Sequence, residues 1–171
     1  MKEVNDLTSR FRKAGREDTG KILRLIRELA EHKRMAGQVT ATVETLEEWL
    51  FVKNSAEVFF ILDDDANEIG YVLFFHTFST FLGKAGIHVE DLYIKPEFRG
   101  KGYGSAAFRE IARIAAERGC ERVEWACLDW NKPSIGFYLS LGAVPLDEWT
   151  TYRLSGGALR NLAEGADSGS S

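Results

Sequence analysis

Four stretches of the chain place apolar residues on one face of a helix. In the first and third of them, apolar residues recur at i, i+3, i+4 and i+7, the spacing of an amphipathic helix. The first predicted helix begins near residue 17. The other three cover 43–53, about 102–118 and 132–141. The apolar positions of the first helix are Ile22, Leu25, Ile26 and Leu29, and those of the third are Phe108, Ile111, Ala112 and Ala115. Thr42 is placed to cap the second helix, and Gly119 to end the third.

Between these helices lie shorter apolar runs rich in β-branched and aromatic residues, which predict strands. The predicted strands cover 57–62, 69–78, 87–94 and 122–128, with a short first strand at 9–14 and one or two last strands within 143–154. The order is a strand and two helices, a meander of strands, then alternating strands and helices. This order predicts a mixed α/β fold with a mostly antiparallel central sheet, one short parallel crossover and flanking helices.

Composition fits one soluble domain. The chain has 171 residues, of which 44% are hydrophobic and 28% charged. We expect a domain over 9–160, a flexible N-terminus over 1–8 and a flexible tail over 161–171. No apolar run reaches the roughly 18 residues of a membrane span, and the first residues lack the apolar stretch of a signal peptide. The expected location is therefore the cytoplasm, with no membrane partner.

The net charge and the positions of the cysteines and histidines reduce the number of possible function classes. The net charge is −4, which disfavours a general nucleic-acid binder and suits a cationic substrate. Cys120 and Cys127 are too few for a disulfide scaffold or a four-cysteine zinc site. The three histidines match no metal-binding spacing, so we expect no metal.

The strongest local signal is a glycine-rich turn between a predicted strand and a predicted helix. Its residues are Arg99, Gly100, Lys101, Gly102, Tyr103, Gly104 and Ser105. Glycines let a ligand approach the backbone, and the first amides of a helix attract anions, so the turn predicts a pyrophosphate site. A Walker loop is absent, and the third glycine stands one residue too early for a dinucleotide fingerprint. A nucleotide-phosphate site remains an alternative.

The Arg-Gly-x-Gly-x-Gly motif, after a strand ending Glu-Asp-Leu-Tyr-Ile, resembles the acetyl-coenzyme A motif of the GNAT N-acetyltransferase superfamily. A second block, Asn-x-Pro-Ser followed by Phe-Tyr and Gly-Ala over 131–143, resembles the last part of the same fold. Three further segments, 23–30, 89–91 and 129–131, are similar to the diamine (spermidine/spermine) and thialysine N-acetyltransferase branch. The resemblance covers roughly residues 10–154 and implies the GNAT fold, an acetyltransferase activity and, from the branch, a homodimer.

The resemblance implies that acetyl-coenzyme A lies between the strands at 87–94 and 122–128. Backbone groups of Leu92, Tyr93 and Ile94 would run beside the thioester, and the Ile94 amide is the candidate oxyanion donor. The glycine turn would hold the pyrophosphate. Three residues of the second block complete the cofactor set: Asn131, Pro133 and Ser134. Asn131 is also placed to cap the following helix.

Acetyl transfer to an amine needs an acid and a base. An alkylamine with a pKa of about 10.4 leaves roughly one molecule in 2,500 able to attack at pH 7. Glu90 is the candidate base, acting through a water molecule, and strand alternation predicts Glu90 and Asp91 on opposite faces. Tyr138 stands where the family has its tyrosine and is the candidate acid for the leaving thiolate, as well as a contact to the cofactor.

The resemblance places the amine against acidic and aromatic side chains. The predicted substrate-binding residues are Glu28, His32, Glu90, Asp91, Glu124, Trp125 and Trp130. Two positions depart from the branch: Lys33 replaces an acidic residue after His32, and Thr150 replaces a glutamate. These departures favour a diamine, thialysine or another lysine-like amino acid as much as a polyamine. The alternatives are a protein N-terminus or lysine, an antibiotic amine, or a non-catalytic acyl-coenzyme A sensor.

Overall fold

A computed structural model describes residues 10–165 of the chain. These residues form two compact units, one reaching to Trp130 and one starting at Asn131, and each is described by itself. The predicted flexible N-terminus and residues 166–171 of the predicted tail lie outside the described residues.

A five-stranded sheet forms the centre of the first unit. Its strands are β1 (Phe11–Lys13), β2 (Glu57–Leu62), β3 (Glu68–Ser79), β4 (Lys84–Ile94) and β5 (Val123–Trp125). They are hydrogen-bonded in the order β1-β2-β3-β4-β5. The first three pairings are antiparallel and β4 pairs with β5 in parallel, which confirms the predicted mixed sheet. β5 is shorter than the predicted strand at 122–128.

Three helices of the first unit follow the predicted apolar patterns. They are α1 (Thr19–His32), α2 (Val43–Glu47) and α3 (Tyr103–Glu117), and a π-helical turn (Glu48–Val52) continues α2. Thr42 caps α2, because its side chain accepts a hydrogen bond from the Thr45 amide at 3.2 Å. Gly119 follows α3 with a φ of +70°, the left-handed conformation predicted for a residue that ends a helix.

The helices cover both faces of the sheet. Ile22, Leu25 and Leu29 of α1 pack with Phe60 and Tyr71 on one face. On the other face, α3 packs against the second set of strand side chains, which includes Val72, Phe74, Ile87 and Val89. The buried stripe of α3 differs from the prediction at one position, because Ile114 is buried and Ala112 is exposed. The contacts between α3 and the sheet fix the rotation of the helix about its own axis. Helical spacing alone leaves this rotation uncertain by one position.

The second unit contains two helices, α4 (Lys132–Ser140) and α5 (Gly156–Ala163). α4 was predicted, whereas α5 was not and runs into the segment predicted as tail. The prediction of strands within 143–154 is wrong, since none of these residues forms a strand. Trp149 N–H donates to Leu146 O at 3.1 Å, so the backbone there closes a local turn. Apolar residues at strand-like spacing form a strand only where another strand accepts their hydrogen bonds.

Within residues 10–165, no helix has both the length and the apolar character needed to cross a membrane.

Candidate active site

An irregularity in β4 sets the geometry of the site. Along the β3–β4 pairing, Leu73 lies opposite Asp91 and Phe74 opposite Val89, so Glu90 has no counterpart on β3. This is a β-bulge, in which one strand carries one extra residue. The extra residue reverses the alternation of side chains, so that Asp91 turns away from the face that Val89 occupies.

The pairing of β4 with β5 ends where the bulge begins. It joins Ile87–Val89 to Val123–Trp125, and residues 90–94 continue β4 without a partner on the β5 side. Lys95 N–H donates to Ile69 O on the β3 side at 2.9 Å. Because backbone groups alternate along a strand, the amides of Leu92 and Ile94 point the other way, into the opening beyond β5. This stretch therefore offers backbone donors to a ligand.

The side chains of this stretch are used in packing. Ile94 and Tyr93 are 9% and 4% exposed, and Leu92 packs between the α3 helix and the sheet. The side chains of Leu92 and Ile94 pack in the core, as their residue types predicted, and Tyr93 is buried there as well. Binding at 92–94 is therefore left to the backbone.

The glycine turn continues from β4 into α3. Gly100 and Gly102 have φ values of +73° and +88°, and a Cβ at either position would meet no atom within 4 Å. Helical hydrogen bonding begins with Ala106 N–H, which donates to Gly102 O at 3.0 Å. The amides of Tyr103, Gly104 and Ser105 therefore have no acceptor within the helix. Open space above glycines and amides at a helix N-terminus fit a linked pair of phosphates.

The charged and aromatic residues of this turn have further contacts. Arg99 Nε donates to Ile94 O at 2.8 Å, and its Nη1 lies 3.3 Å from His32 Nε2. Burial lowers the pKa of His32, and the charges of Arg99 and Lys33 lower it further. The lowered pKa favours the neutral imidazole, whose unprotonated nitrogen can accept a hydrogen bond from Arg99, and this contact joins α1 to the end of β4. Tyr103 is buried against Phe98, with ring centres 6.3 Å apart.

The Lys101 ammonium lies 5.3 Å from the centre of the Phe98 ring. Its side chain stays at the surface of the turn, where its charge is available to a phosphate.

Two carboxylates predicted to bind substrate lie on the α1 face of the sheet, each bonded to a tyrosine. Tyr71 OH donates to Asp91 Oδ2 at 2.9 Å, and Tyr93 OH donates to Glu28 Oε2 at 3.3 Å. Burial raises the pKa of Tyr71 far above its ordinary value, and the Asp91 charge adds to this effect, so the hydroxyl stays a donor. The sequence analysis missed Tyr71, because an aromatic residue inside a strand normally indicates core.

Glu90 is exposed, and its Oε2 lies 3.7 Å from Nε2 of His88. The His88 ring stacks on Phe75 at 5.0 Å, and Phe75 lies on the same face of β3 as Tyr71. Glu90 and Asp91 therefore lie on the same face, and the prediction of opposite faces is wrong. The bulge at Glu90 is the reason, since strict alternation holds only in a regular strand.

Of the remaining predicted substrate residues of the first unit, Glu124 lies opposite His88 in the parallel β4–β5 pairing and so on the same face as His88. Glu124 Oε2 is 3.4 Å from Arg122 Nε. Trp125 packs on Phe108 of α3, with ring centres 4.7 Å apart, so it lies on the opposite face from Asp91. Trp130 is 63% exposed. Cys120 is buried and Cys127 half-buried.

The second unit holds the other predicted cofactor residues and the predicted acid on α4. Asn131 caps this helix, because its Oδ1 accepts from the Ser134 amide at 3.4 Å, and Pro133 stands in the first turn. The Tyr138 ring lies 5.6 Å from that of Phe137. Its backbone oxygen accepts from the Ala143 amide at 3.2 Å, which closes the end of the helix.

The site thus combines a parallel strand pair whose pairing ends at a bulge with a glycine turn that opens a helix. The profile of the acetyltransferase (GNAT) family matches residues 23–143, more than half of the chain. The chain therefore belongs to this family and is an acetyltransferase, as the sequence motifs predicted. A solved structure with the same fold is an integron cassette protein from the mobile metagenome of V. cholerae. Its TM-score is 0.75 at 22% identity, covering 90% of this chain and 96% of that one.

Two curated relatives are more similar in sequence. A thialysine N-epsilon-acetyltransferase of Sus scrofa is 38% identical over 164 residues, covering 90% of this chain and 96% of that protein. An L-ornithine N5-acetyltransferase of Arabidopsis thaliana is 39% identical over 104 residues, covering 59% of this chain and 46% of that protein.

Proposed function

We propose that the protein transfers the acetyl group of acetyl-coenzyme A to a primary amine of a small cationic substrate by direct attack. The acceptor class is a diamine, a polyamine or a lysine-like amino acid. The observation that carries the proposal is the stretch 90–94 of β4, which is unpaired on its β5 side and is followed, after residues 95–98, by the glycine turn. The relatives named for thialysine and L-ornithine support a small amine acceptor.

The glycine turn is the proposed pyrophosphate site. The amides of residues 103–105 donate to phosphate oxygens, the α3 dipole favours the negative charge, and Lys101 adds a full positive charge. Bound there, acetyl-coenzyme A supplies an acetyl thioester. Asn131, Pro133 and Ser134, at the start of α4, are proposed as further contacts to the coenzyme.

Two residues carry out the proposed proton transfers. Glu90, exposed at the bulge, accepts the ammonium proton through a water molecule, which leaves the amine able to attack. Tyr138 is the proposed acid that gives its hydroxyl proton to the sulfur of the leaving group. The Ile94 amide is the proposed donor to the carbonyl oxygen, a contact worth roughly 3 kcal/mol when removed in comparable sites.

Acidic side chains on the α1 face are the proposed contacts to the cationic substrate. Glu28 and Asp91 are held in place by tyrosine hydroxyls, and Glu90 lies on the same face. His32 orients Arg99 at the end of β4. We propose no substrate contact for Trp125, because its ring is used against α3.

The direct test is a thiol-release assay with acetyl-coenzyme A over polyamines, short diamines, lysine analogues and an N-terminal peptide. We expect release with small amines and a drop of roughly 100-fold or more in kcat for Tyr138→Phe, with coenzyme binding retained. Tyr152→Phe, which removes a hydroxyl from an exposed tyrosine of the same unit, is the matched control. Full turnover by Tyr138→Phe would show that Tyr138 is not the acid. If no amine causes thiol release, the proposed activity is rejected.

We further propose a homodimer in the cytoplasm. Phe78, Phe81 and Leu82 at the β3–β4 hairpin are 64%, 101% and 50% exposed, an apolar patch of the kind found at protein interfaces. Light scattering after size exclusion tests the dimer, and Phe81→Ser is expected to weaken it. Cell fractionation tests the location.

A further inference from the structure

Lys33 stands at the end of α1 and faces a predicted substrate-binding carboxylate. Its amide donates to Leu29 O at 2.9 Å, which fixes the backbone at the helix end. Its Nζ lies 3.8 Å from Asp91 Oδ1, while Asp91 Oδ2 accepts from Tyr71. The lysine side chain is 40% exposed and that of Asp91 20% exposed, so the pair lies at the surface of the site.

The charge of the Lys33 ammonium also affects the pKa of Cys127, which follows β5. Burial raises the pKa of the Cys127 thiol, the Asp129 charge raises it further, and the Lys33 charge lowers it. Cys127 follows β5, whereas Asp91 belongs to β4. The charge of Lys33 therefore influences the thiol that follows β5 as well as the Asp91 carboxylate, which it contacts directly.

At 3.8 Å the Lys33–Asp91 pair is a charge contact longer than a hydrogen bond. An ammonium has three N–H donors, so Lys33 can donate to a further acceptor while it keeps its contact with Asp91. The site thus presents a positive and a negative group side by side.

We infer that Lys33 is a specificity-determining residue, which binds the α-carboxylate of an amino-acid acceptor. This inference rests on the proposed function. In a lysine-like amino acid, one carbon carries both an ammonium and a carboxylate. The ammonium can pair with Asp91 while the carboxylate pairs with Lys33. A diamine of the same length brings a second ammonium and no carboxylate, so it meets Lys33 with a like charge.

Lysine and cadaverine form a matched pair of probes, because they differ only in the α-carboxylate. We expect wild-type kcat/KM to favour lysine at least tenfold. Lys33→Met should reduce this preference at least tenfold, mainly through KM for lysine, with KM for acetyl-coenzyme A unchanged. Lys33→Glu should reverse the preference toward cadaverine. Lys21→Met removes an ammonium from the same helix, where it pairs with Glu68 at 2.7 Å, and should leave the preference unchanged.

Calorimetric binding of the two probes separates this inference from the proposed function. Tighter binding of lysine that is lost in Lys33→Met supports the role of Lys33, even if no acetyl transfer is seen. If the ratio of kcat/KM for lysine to kcat/KM for cadaverine is unchanged in both Lys33 variants, the inference is overturned, even where acetyl transfer is fast. Binding of neither probe, or a wild-type preference for cadaverine, overturns it as well.

Discussion

Among single residues, Glu57 is a carboxylate held by two cations. Both its oxygens face the Arg118 guanidinium, and Lys13 Nζ lies 2.8 Å from Oε1. The hydrogen bond from Arg118, opposed by burial and assisted by Lys13, lowers the pKa of Glu57 to about 2. The three residues belong to β2, β1 and the end of α3, so this carboxylate joins remote parts of the first unit.

The lowered pKa predicts a pH-dependent stability. The ion pairs contribute fully above the unfolded pKa near 4.5, and their contribution is lost as the pH falls toward 2. The shift corresponds to about 3 kcal/mol at neutral pH. We expect Glu57→Gln to lower the free energy of unfolding by about 2 kcal/mol at pH 7, with a difference that shrinks below pH 4.5.

Denaturant unfolding at several pH values measures this difference. Glu121→Gln is the control, because Glu121 pairs with Lys84 in an exposed ion pair, for which we expect less than about 1 kcal/mol. A Glu57→Gln deficit that stays constant from pH 7 to pH 2 would contradict the ionic explanation.

The element with the sharpest backbone requirement is the glycine turn. Gly102 caps α3 with a φ of +88°, where any side chain is strained and a carboxylate meets the proposed phosphate site. We expect Gly102→Asp to reduce coenzyme A affinity at least 100-fold, as measured by calorimetry. Gly83→Asp is the matched control, because Gly83 has a φ of +63° and equally open surroundings at the β3–β4 hairpin. Unaltered affinity in Gly102→Asp would reject the glycine turn as the phosphate site.

The bulge in β4 is the element that makes the site. Without the extra residue at Glu90, strict alternation would turn Asp91 toward α3 and away from Tyr71. The unpaired stretch and the acidic face therefore have one common cause. No residue type at 89–91 indicates a bulge, so the sequence predicted a regular strand there.

For the whole molecule, the proposed function predicts that coenzyme A stabilises the folded chain. A ligand at 100 times its Kd adds about 2.7 kcal/mol, if it binds only the folded state. For a chain of this size that corresponds to a rise of roughly 5–10 °C in Tm. Thermal unfolding with coenzyme A, and with ATP at the same concentration, measures the effect. An equal rise with ATP would favour a nucleotide-phosphate site instead.

The sequence by itself determined the order of the helices and strands of the first unit, the glycine turn and the family. These features are local, because helix caps, apolar spacing and the freedom of glycine act over a few residues. The tertiary structure alone decided the bulge at Glu90, the partners of Asp91 and the absence of strands at 143–154. Each depends on which remote segments meet: Tyr71 and Lys33 reach Asp91 from β3 and from the end of α1. Strand pairing joins residues far apart in the chain, and spacing within one segment does not specify its partner.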